Sequence, residues 1–186
     1  MLNEDDRRAL IEALGIAQRL GAFGPGEVSR LVRHAEGFLT ALSPVRGTVF
    51  DLGSGGGVPG LVIAVARPDL HLRLLDRSRR RTDGLQRLIA RLELGARVEA
   101  ICTDVAMYEC SEPADAVVAR SLAPPAETLR HARRLVVNEE RGRIVISDPP
   151  TGERWPASLL DGLRVRRVEV EVPPGAGRVA VFECFT

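Results

Sequence analysis

The sequence predicts an α/β fold: a mostly parallel sheet with helices on both faces, an antiparallel edge strand, and a helical extension at the amino end. Three observations carry this. Between residues 48 and 147, short apolar runs alternate with amphipathic stretches, the pattern of repeated βαβ units. The first apolar run ends in an acid followed by a cluster of glycines, which suits a strand that turns sharply into a helix. Two final apolar runs flank Pro173-Pro174-Gly175 and read as a closing antiparallel pair.

The elements follow in order. Residues 4–20 read as a helix, with Leu10, Ile11, Leu14, Ala17 and Leu20 on one face. Gly24-Pro25-Gly26 interrupts it, and residues 27–42 form a second helix through Val28, Leu31, Val32, Ala35, Phe38, Leu39 and Leu42. Past Ser43-Pro44, Thr48-Val49-Phe50 is a short buried strand that ends at Asp51. Residues 61–66 are a helix with Pro59 near its first turn, where a missing N–H costs nothing. Residues 70–75 are a strand, and residues 79–94 a helix with Leu85, Leu88, Ile89 and Leu92 inside. Strands at 98–102 and 115–119, a helix at 126–137 and a strand at 143–147 complete the alternation. Residues 165–172 and 178–185 are the closing pair. One domain spans residues 1–186, with the extension (1–43) packed on the core (44–186).

Composition excludes several classes. Hydrophobic residues make up 45% and charged residues 27%, so the chain is globular and not disordered. No apolar run approaches the length of a spanning helix, and the acidic start is not a secretory signal. Three cysteines build no disulfide scaffold, and a cytoplasmic location is expected. Cys102, Cys110 and Cys184 read as buried apolar groups. They share no ligand spacing with His34, His71 or His131, so no metal site is expected. All 26 cations are arginine, which removes lysine nucleophiles, Schiff bases and the phosphate-loop lysine. The net charge of +1 argues against indiscriminate coating of nucleic acid but leaves room for a local basic face.

In an open parallel sheet, ligands bind beyond the carboxyl ends of the strands, beside the first of them. Here that place is the run Asp51 to Gly60. Gly53, Gly55 and Gly57 let the backbone turn tightly and approach a ligand with no Cβ in the way. The plain alternative is a glycine-rich turn. Residues 55–60 formally match the dinucleotide fingerprint. An Asp51 carboxylate at the loop's mouth would repel a pyrophosphate and favour a cation. S-adenosyl-L-methionine carries a sulfonium and an ammonium. The order Asp51, Gly53, Gly55, Gly57 is that of a class I, Rossmann-like methyltransferase.

Asp76 ends the next strand and suits a ribose diol, in a dinucleotide enzyme as well as here; its plain reading is a solvated turn residue. Past the third strand, either Asp104 reaches the adenine amine, or the backbone of Val105 and Ala106 reads the ring while Asp104 caps a turn. The second reading is preferred. The fourth strand delivers Arg120, whose fork fits a carboxylate, a phosphate or the Hoogsteen edge of guanine. An ion pair with a neighbouring acid is the plain alternative.

These residues resemble the RsmG (GidB) family of bacterial 16S rRNA guanine-N7 methyltransferases. The similarity runs from about Leu31 to Ile146, through Leu31-Val32-Arg33-His34, Phe50 to Gly60, Arg67-Pro68-Asp69, Leu74-Leu75-Asp76, Arg80-Arg81 and Ala119-Arg120-Ser121-Leu122. The resemblance implies S-adenosyl-L-methionine as cofactor, with Gly53 and Val58 at its methionine part, Val105 and Ala106 at the adenine, and Arg120 as the catalytic-pocket residue. It implies ribosomal RNA or the small ribosomal subunit as partner. No membrane and no metal are expected, and a monomer is favoured. The chain also departs from the family. No Asn-Leu-Thr stretch precedes the region, Glu36 stands in place of an expected carboxylate element after His34, and Asp148 replaces a lysine.

Guanine N7 presents its lone pair in the ring plane, so the absence of a dedicated base does not count against methylation there. Asp148-Pro149-Pro150 looks superficially like an amino-methylating motif but is expected to be a turn. Trp155 is expected to pack a late loop. Arg77, Arg79, Arg80, Arg81, Arg130, Arg133 and Arg134 flank the cleft; three of them open a helix against its dipole, which hints at a polyanion. A solvated face balanced by Asp83 and Glu93 is the plain alternative. With seven aromatic side chains, no extended stacking platform is expected. Two other function classes stay open: a non-catalytic or altered-substrate relative that binds cofactor or RNA, and a nicotinamide-dependent oxidoreductase.

Overall fold

A computed structural model of the chain describes residues 2–138, 141–148 and 154–185. The extension is two helices, α1 (Glu4–Arg19) and α2 (Val28–Ala41). The side chain of Asn3 caps α1 by accepting from the Asp6 N–H at 2.8 Å, and Glu4, Asp5 and Asp6 occupy the positive end of the dipole. Then come β1 (Gly47–Leu52), α3 (Gly60–Ala66), β2 (Leu70–Asp76), α4 (Arg79–Arg91), β3 (Val98–Cys102), β4 (Ala116–Ala119), α5 (Pro125–Leu135) and β5 (Arg143–Ser147). The chain closes with α6 (Ala157–Leu163), β6 (Val165–Val168) and β7 (Val179–Cys184).

The strands form one seven-stranded sheet in the order β3-β2-β1-β4-β5-β7-β6. Strands β1 to β5 are parallel. The expected antiparallel edge is built by β7, which runs antiparallel to both β5 and β6, so β6 is the outermost strand. The strand order reverses between β1 and β4, which opens a crevice at their carboxyl ends.

Two cores flank the sheet. One lies under α1 to α4 and takes Val49, Leu72, Leu74 and Val118; the other lies under α5 and α6 and takes Phe50, Leu52, Leu75 and Val117. Period-two alternation sorts the side chains between the faces. It puts Asp51 with Val49, on the face that α1 to α4 cover.

Two stretches differ from expectation. Helix α6 stands where the sequence suggested only a late loop, and it ends at Arg164 in the left-handed region (φ +53°). Strand β6 stops at Val168, paired with Val181, short of the expected residue 172; farther along, the Gly177 N–H donates to the His34 carbonyl of α2 at 3.2 Å. Trp155 is buried, edge-on to Phe182 with ring centroids 4.9 Å apart. The expected turn at Pro149 and Pro150 lies outside the described residues.

Candidate functional site

The crevice holds a cavity of about 330 Å³, whose lining includes Gly53, Asp76, Asp104, Val105, Ala106 and Ser121. That volume lies within the range of small-molecule sites. The glycine loop forms its wall near β1. Gly53, Gly55 and Gly57 all have positive φ (+68°, +58° and +100°), so the loop's path depends on residues without a Cβ. The Ser54 N–H donates to the Leu75 carbonyl at 3.0 Å and ties the loop to β2. A Cβ on Gly56 would overlap the ring of Phe23, which links α1 and α2. The extension therefore braces the loop from behind.

Asp76 is 3% exposed at the end of β2. It accepts from the Gly55 N–H at 2.9 Å on one oxygen and from the Ser78 N–H at 2.9 Å on the other. Arg81 stands 3.6 Å away. Each carboxylate oxygen has a second lone pair, so Asp76 keeps accepting capacity beside the cavity. It is a held carboxylate, not a solvated turn residue. Asp104 takes the capping role: it accepts from the Ala106 N–H at 2.9 Å and starts a single 3-10 turn, Val105–Met107. Arg134 of α5 anchors the same segment by donating to the Val105 carbonyl at 2.6 Å and the Tyr108 carbonyl at 2.7 Å. Sequence alone did not show this clamp.

Asp51 does not stand at the loop's mouth. It is fully buried beneath the loop (0% exposed), and one oxygen accepts from the Gly60 N–H at 3.0 Å. The other oxygen has no hydrogen-bond partner among the described residues. Gly57 and Val58 are buried too and do not line the cavity. The carboxyl that faces the crevice at the loop is Asp76, so charge at Asp51 does not by itself select a cationic ligand over a phosphate.

Burial lifts the Asp51 carboxyl from 3.8 to about 6, against opposing contributions from Ser54, Gly60 and Arg120. At low pH both folded and unfolded chains hold this proton, and no penalty exists. Between 3.8 and about 6 the unfolded chain loses it first, so stability falls as pH rises and the full penalty stands above that window. Asp51→Asn should therefore gain stability relative to the parent by about 2–3 kcal/mol between pH 4 and pH 8. Urea titrations at the two pH values check this; a difference that does not change with pH would refute it.

Arg120 emerges on the other side. It continues the alternation of β4 onto the face of Asp51 and lines a separate cavity of about 410 Å³ with Arg30, Arg33, His34 and the 175–177 segment. Its neighbour Ser121 lines the first cavity and adopts a left-handed φ of +58°, uncommon for a residue with a Cβ. Consecutive residues thus face different cavities, and the end of β4 is their shared wall. Burial lowers the Arg120 pKa while Asp51 opposes the shift; burial, then the Arg120 charge, lowers that of His34. The structure thus gathers Gly53, Asp76, Val105 and Ala106 around one cavity and puts Arg120 in the other.

Much of the expected basic face is spent internally. Arg80 donates to the Leu20 carbonyl at 2.7 Å, which offsets its poor place on the helix dipole. Arg81 faces Asp76, Arg133 donates to the Leu163 carbonyl at 2.8 Å, and Arg134 clamps the 105–108 turn. Asp148, where the resemblance expects lysine, is 8% exposed. It lies 3.2 Å from Arg167 and accepts from Trp155 Nε1 at 3.4 Å. It anchors α6 and β6 and does not line either cavity. Glu36 turns away from the site to pair with Arg7 of α1. Of the cysteines only Cys184 is buried; Cys110 is half-buried, packed at the margin of the second core, and Cys102, the last residue of β3, is exposed. No helix of the described residues is long and apolar enough to cross a membrane.

The family model for rRNA small subunit methyltransferase G matches residues 24–147. A ribosomal RNA small subunit methyltransferase G from Salinispora arenicola is 42% identical over 134 residues, covering 67% of this chain and 54% of the relative. Its counterpart in Mycobacterium marinum is 34% identical over 170 residues, covering 88% and 69%. The chain spans about half the length of the first curated relatives it matches. Among solved structures, a SAM-dependent methyltransferase from Thiobacillus denitrificans in complex with S-adenosyl-L-homocysteine superposes with a TM-score of 0.54 at 22% identity. It covers 74% of this chain and 57% of that one. The fold is the class I methyltransferase fold.

Proposed function

This chain belongs to the rRNA small subunit methyltransferase G family, and on that premise we propose that it methylates N7 of a guanine in 16S ribosomal RNA, using S-adenosyl-L-methionine. One observation carries the cofactor assignment: a nearly buried carboxylate, Asp76, stands at the end of β2 with accepting capacity left, between a glycine-rich loop and the 104–106 segment. The residues present fit the cofactor. Asp76 suits the ribose hydroxyls, Gly53 and Gly55 the close approach of the methionine part, and Val105 and Ala106 the adenine. The bound cofactor supplies a methyl group on a positively charged sulfur, an electrophile that needs no activating base.

Guanine N7 carries no proton to remove. The chain's contribution is then to bind, orient and exclude water. In this reading Arg120 does so from the neighbouring cavity. An arginine on the Hoogsteen edge that leaves N7 free must donate to O6. Its partial burial strengthens that donation, because water competes less for the fork. The partner in this reading is ribosomal RNA or the small ribosomal subunit, and the location is the cytoplasm. The charge reversal at Asp148 gives no reason to prefer a non-catalytic relative, since that carboxylate is paired with Arg167 away from both cavities.

Calorimetry with S-adenosyl-L-methionine and with its demethylated product tests the cofactor half. Saturable heat is expected, with stabilisation of about 2.7 kcal/mol at one hundred times Kd. Asp76→Asn should weaken binding by at least about tenfold, equivalent to about 1.4 kcal/mol. No heat and no thermal shift at millimolar ligand would overturn the proposal, and preferential stabilisation by a nicotinamide dinucleotide would replace it. Incorporation of labelled methyl at one guanine of undermethylated small-subunit RNA tests the other half.

A further inference from the structure

Arginines in this chain are commonly tied off by backbone carbonyls. Arg67 donates to Leu42 and Val45, Arg97 to Ala64, and Arg134 to Val105 and Tyr108. Arg30, Arg33 and Arg120 are among those that are not, and they are the ones that share a cavity. Their side chains have no hydrogen bond and no ion pair among the described residues, yet all three line the one cavity of about 410 Å³. Residues 30 and 33 are a helical turn apart on α2, so they share a face. No acidic side chain among the described residues lines that cavity. Glu36 is paired with Arg7, and Glu27, one turn before Arg30, is exposed and accepts from Ser29 Oγ at 3.4 Å.

The cavity's far wall is the 175–177 segment, and it is fitted closely to α2. A Cβ on Gly177 would overlap the His34 ring, and a Cβ on Gly37 would overlap the Gly177 carbonyl. His34 Nε2 is buried there without a hydrogen-bond partner among the described residues. Three permanent cations, the exposed Arg30 and Arg33 and the half-buried Arg120, thus line one concave surface, and the nearest counter-charge acting on them among the described residues is Asp51, buried beneath the glycine loop and felt by Arg120. Such a field favours an anion with several oxygen acceptors, and the planar fork of arginine matches phosphate oxygens. The wall shared with the first cavity, at Arg120 and Ser121, puts this anion site next to the candidate cofactor site.

We propose that this second cavity is where the RNA strand enters, with Arg30 and Arg33 holding the phosphodiester groups that flank the nucleotide received at Arg120. The inference rests on the proposed function and adds the residues that grip the substrate backbone. Phosphate contacts position a strand without reading its sequence, so these two arginines act on binding and register and not on the methyl transfer itself.

The test uses the full chain with undermethylated small-subunit RNA. The double variant Arg30→Gln/Arg33→Gln is compared with the parent and with Arg19→Gln/Arg87→Gln, which removes the same charge from exposed positions of α1 and α4. The double variant should raise KM for RNA by about tenfold or more while kcat stays within about twofold. Its RNA affinity should lose between one and two from the slope of log Kd against log salt, since each phosphate contact contributes about 0.7–0.9. Cofactor affinity and the melting temperature should not move. A double variant whose KM and salt slope equal the parent's, or a control pair that falls as far, overturns the inference. Filter binding reads the slope whether or not methyl is transferred. A parent chain that binds RNA through Arg30 and Arg33 but incorporates no methyl therefore fails the functional reading alone, whereas one that methylates with an unchanged double variant fails this inference alone.

Discussion

Gly60→Val is expected to destabilise the fold by about 3 kcal/mol or more. Gly60 opens α3 directly above the buried Asp51 carboxylate. A Cβ there would overlap Leu74 Cδ2 and come within 2.5 Å of Asp51 Oδ2. Neither neighbour can yield cheaply. Leu74 is fully buried in β2, and Asp51 is held by the Gly60 N–H itself. Overpacking of this kind costs about 1–3 kcal/mol. Displacing Asp51 adds the loss of a hydrogen bond to a buried charged group, about 1.5–3 kcal/mol. In a chain of this size the melting temperature should fall by roughly 6–12 °C. The urea midpoint should drop with an unchanged m-value. A shift below about 0.5 kcal/mol, the range of inert surface changes, would show that the carboxylate and α3 are not packed as described.

The second large effect is on binding. Gly55→Asp should lower cofactor affinity by about 100-fold or more, equivalent to about 2.8 kcal/mol, with only a modest loss of stability. The position has room for a Cβ, whose nearest neighbour would be the Gly53 carbonyl at 3.8 Å. Its φ of +58° is one that Asp tolerates better than most residues. The harm comes from charge and bulk. The Gly55 N–H is bonded to Asp76, so a new carboxylate would stand beside the one that suits the ribose. Gly55→Asn separates the two causes, because it has the same shape without the charge. The asparagine variant should keep most of the affinity that the aspartate variant loses. Equal losses would assign the effect to bulk, and no loss in either would show the loop to be a turn with no ligand role.

The alternation of strands and helices was legible because hydrophobic period is a local property. Leu72, Leu74 and Val49 announce a buried face without knowledge of what covers it. Helix α6 was not legible, because none of its residues is fully buried, and the contacts that flank it, Trp155 on Phe182 and Asp148 with Arg167, join parts of the chain distant in sequence. The burial of Asp51 did have a sequence signal. Residues 49 and 51 must share a face, and Val49 is core. Reading the acid as a loop residue and not as the last inward position of β1 misplaced its charge. The arginine run at 79–81 was partly legible for a related reason. A cation that opposes a helix dipole looks unpaired until its partner appears, and the partners are the Leu20 carbonyl for Arg80 and Asp76 for Arg81.

Sequence by itself therefore determined the α/β class, the position of the glycine loop, and the strand-end residues Asp76 and Arg120, because each follows from local period or from φ values that only glycine adopts freely. Tertiary structure alone decided that Asp51 lies under the loop, that Arg120 opens into a second cavity, and which arginines remain available to an anion. The physical reason is that burial and electrostatic satisfaction are set by groups brought together from distant parts of the chain, so no local pattern of residues can encode them.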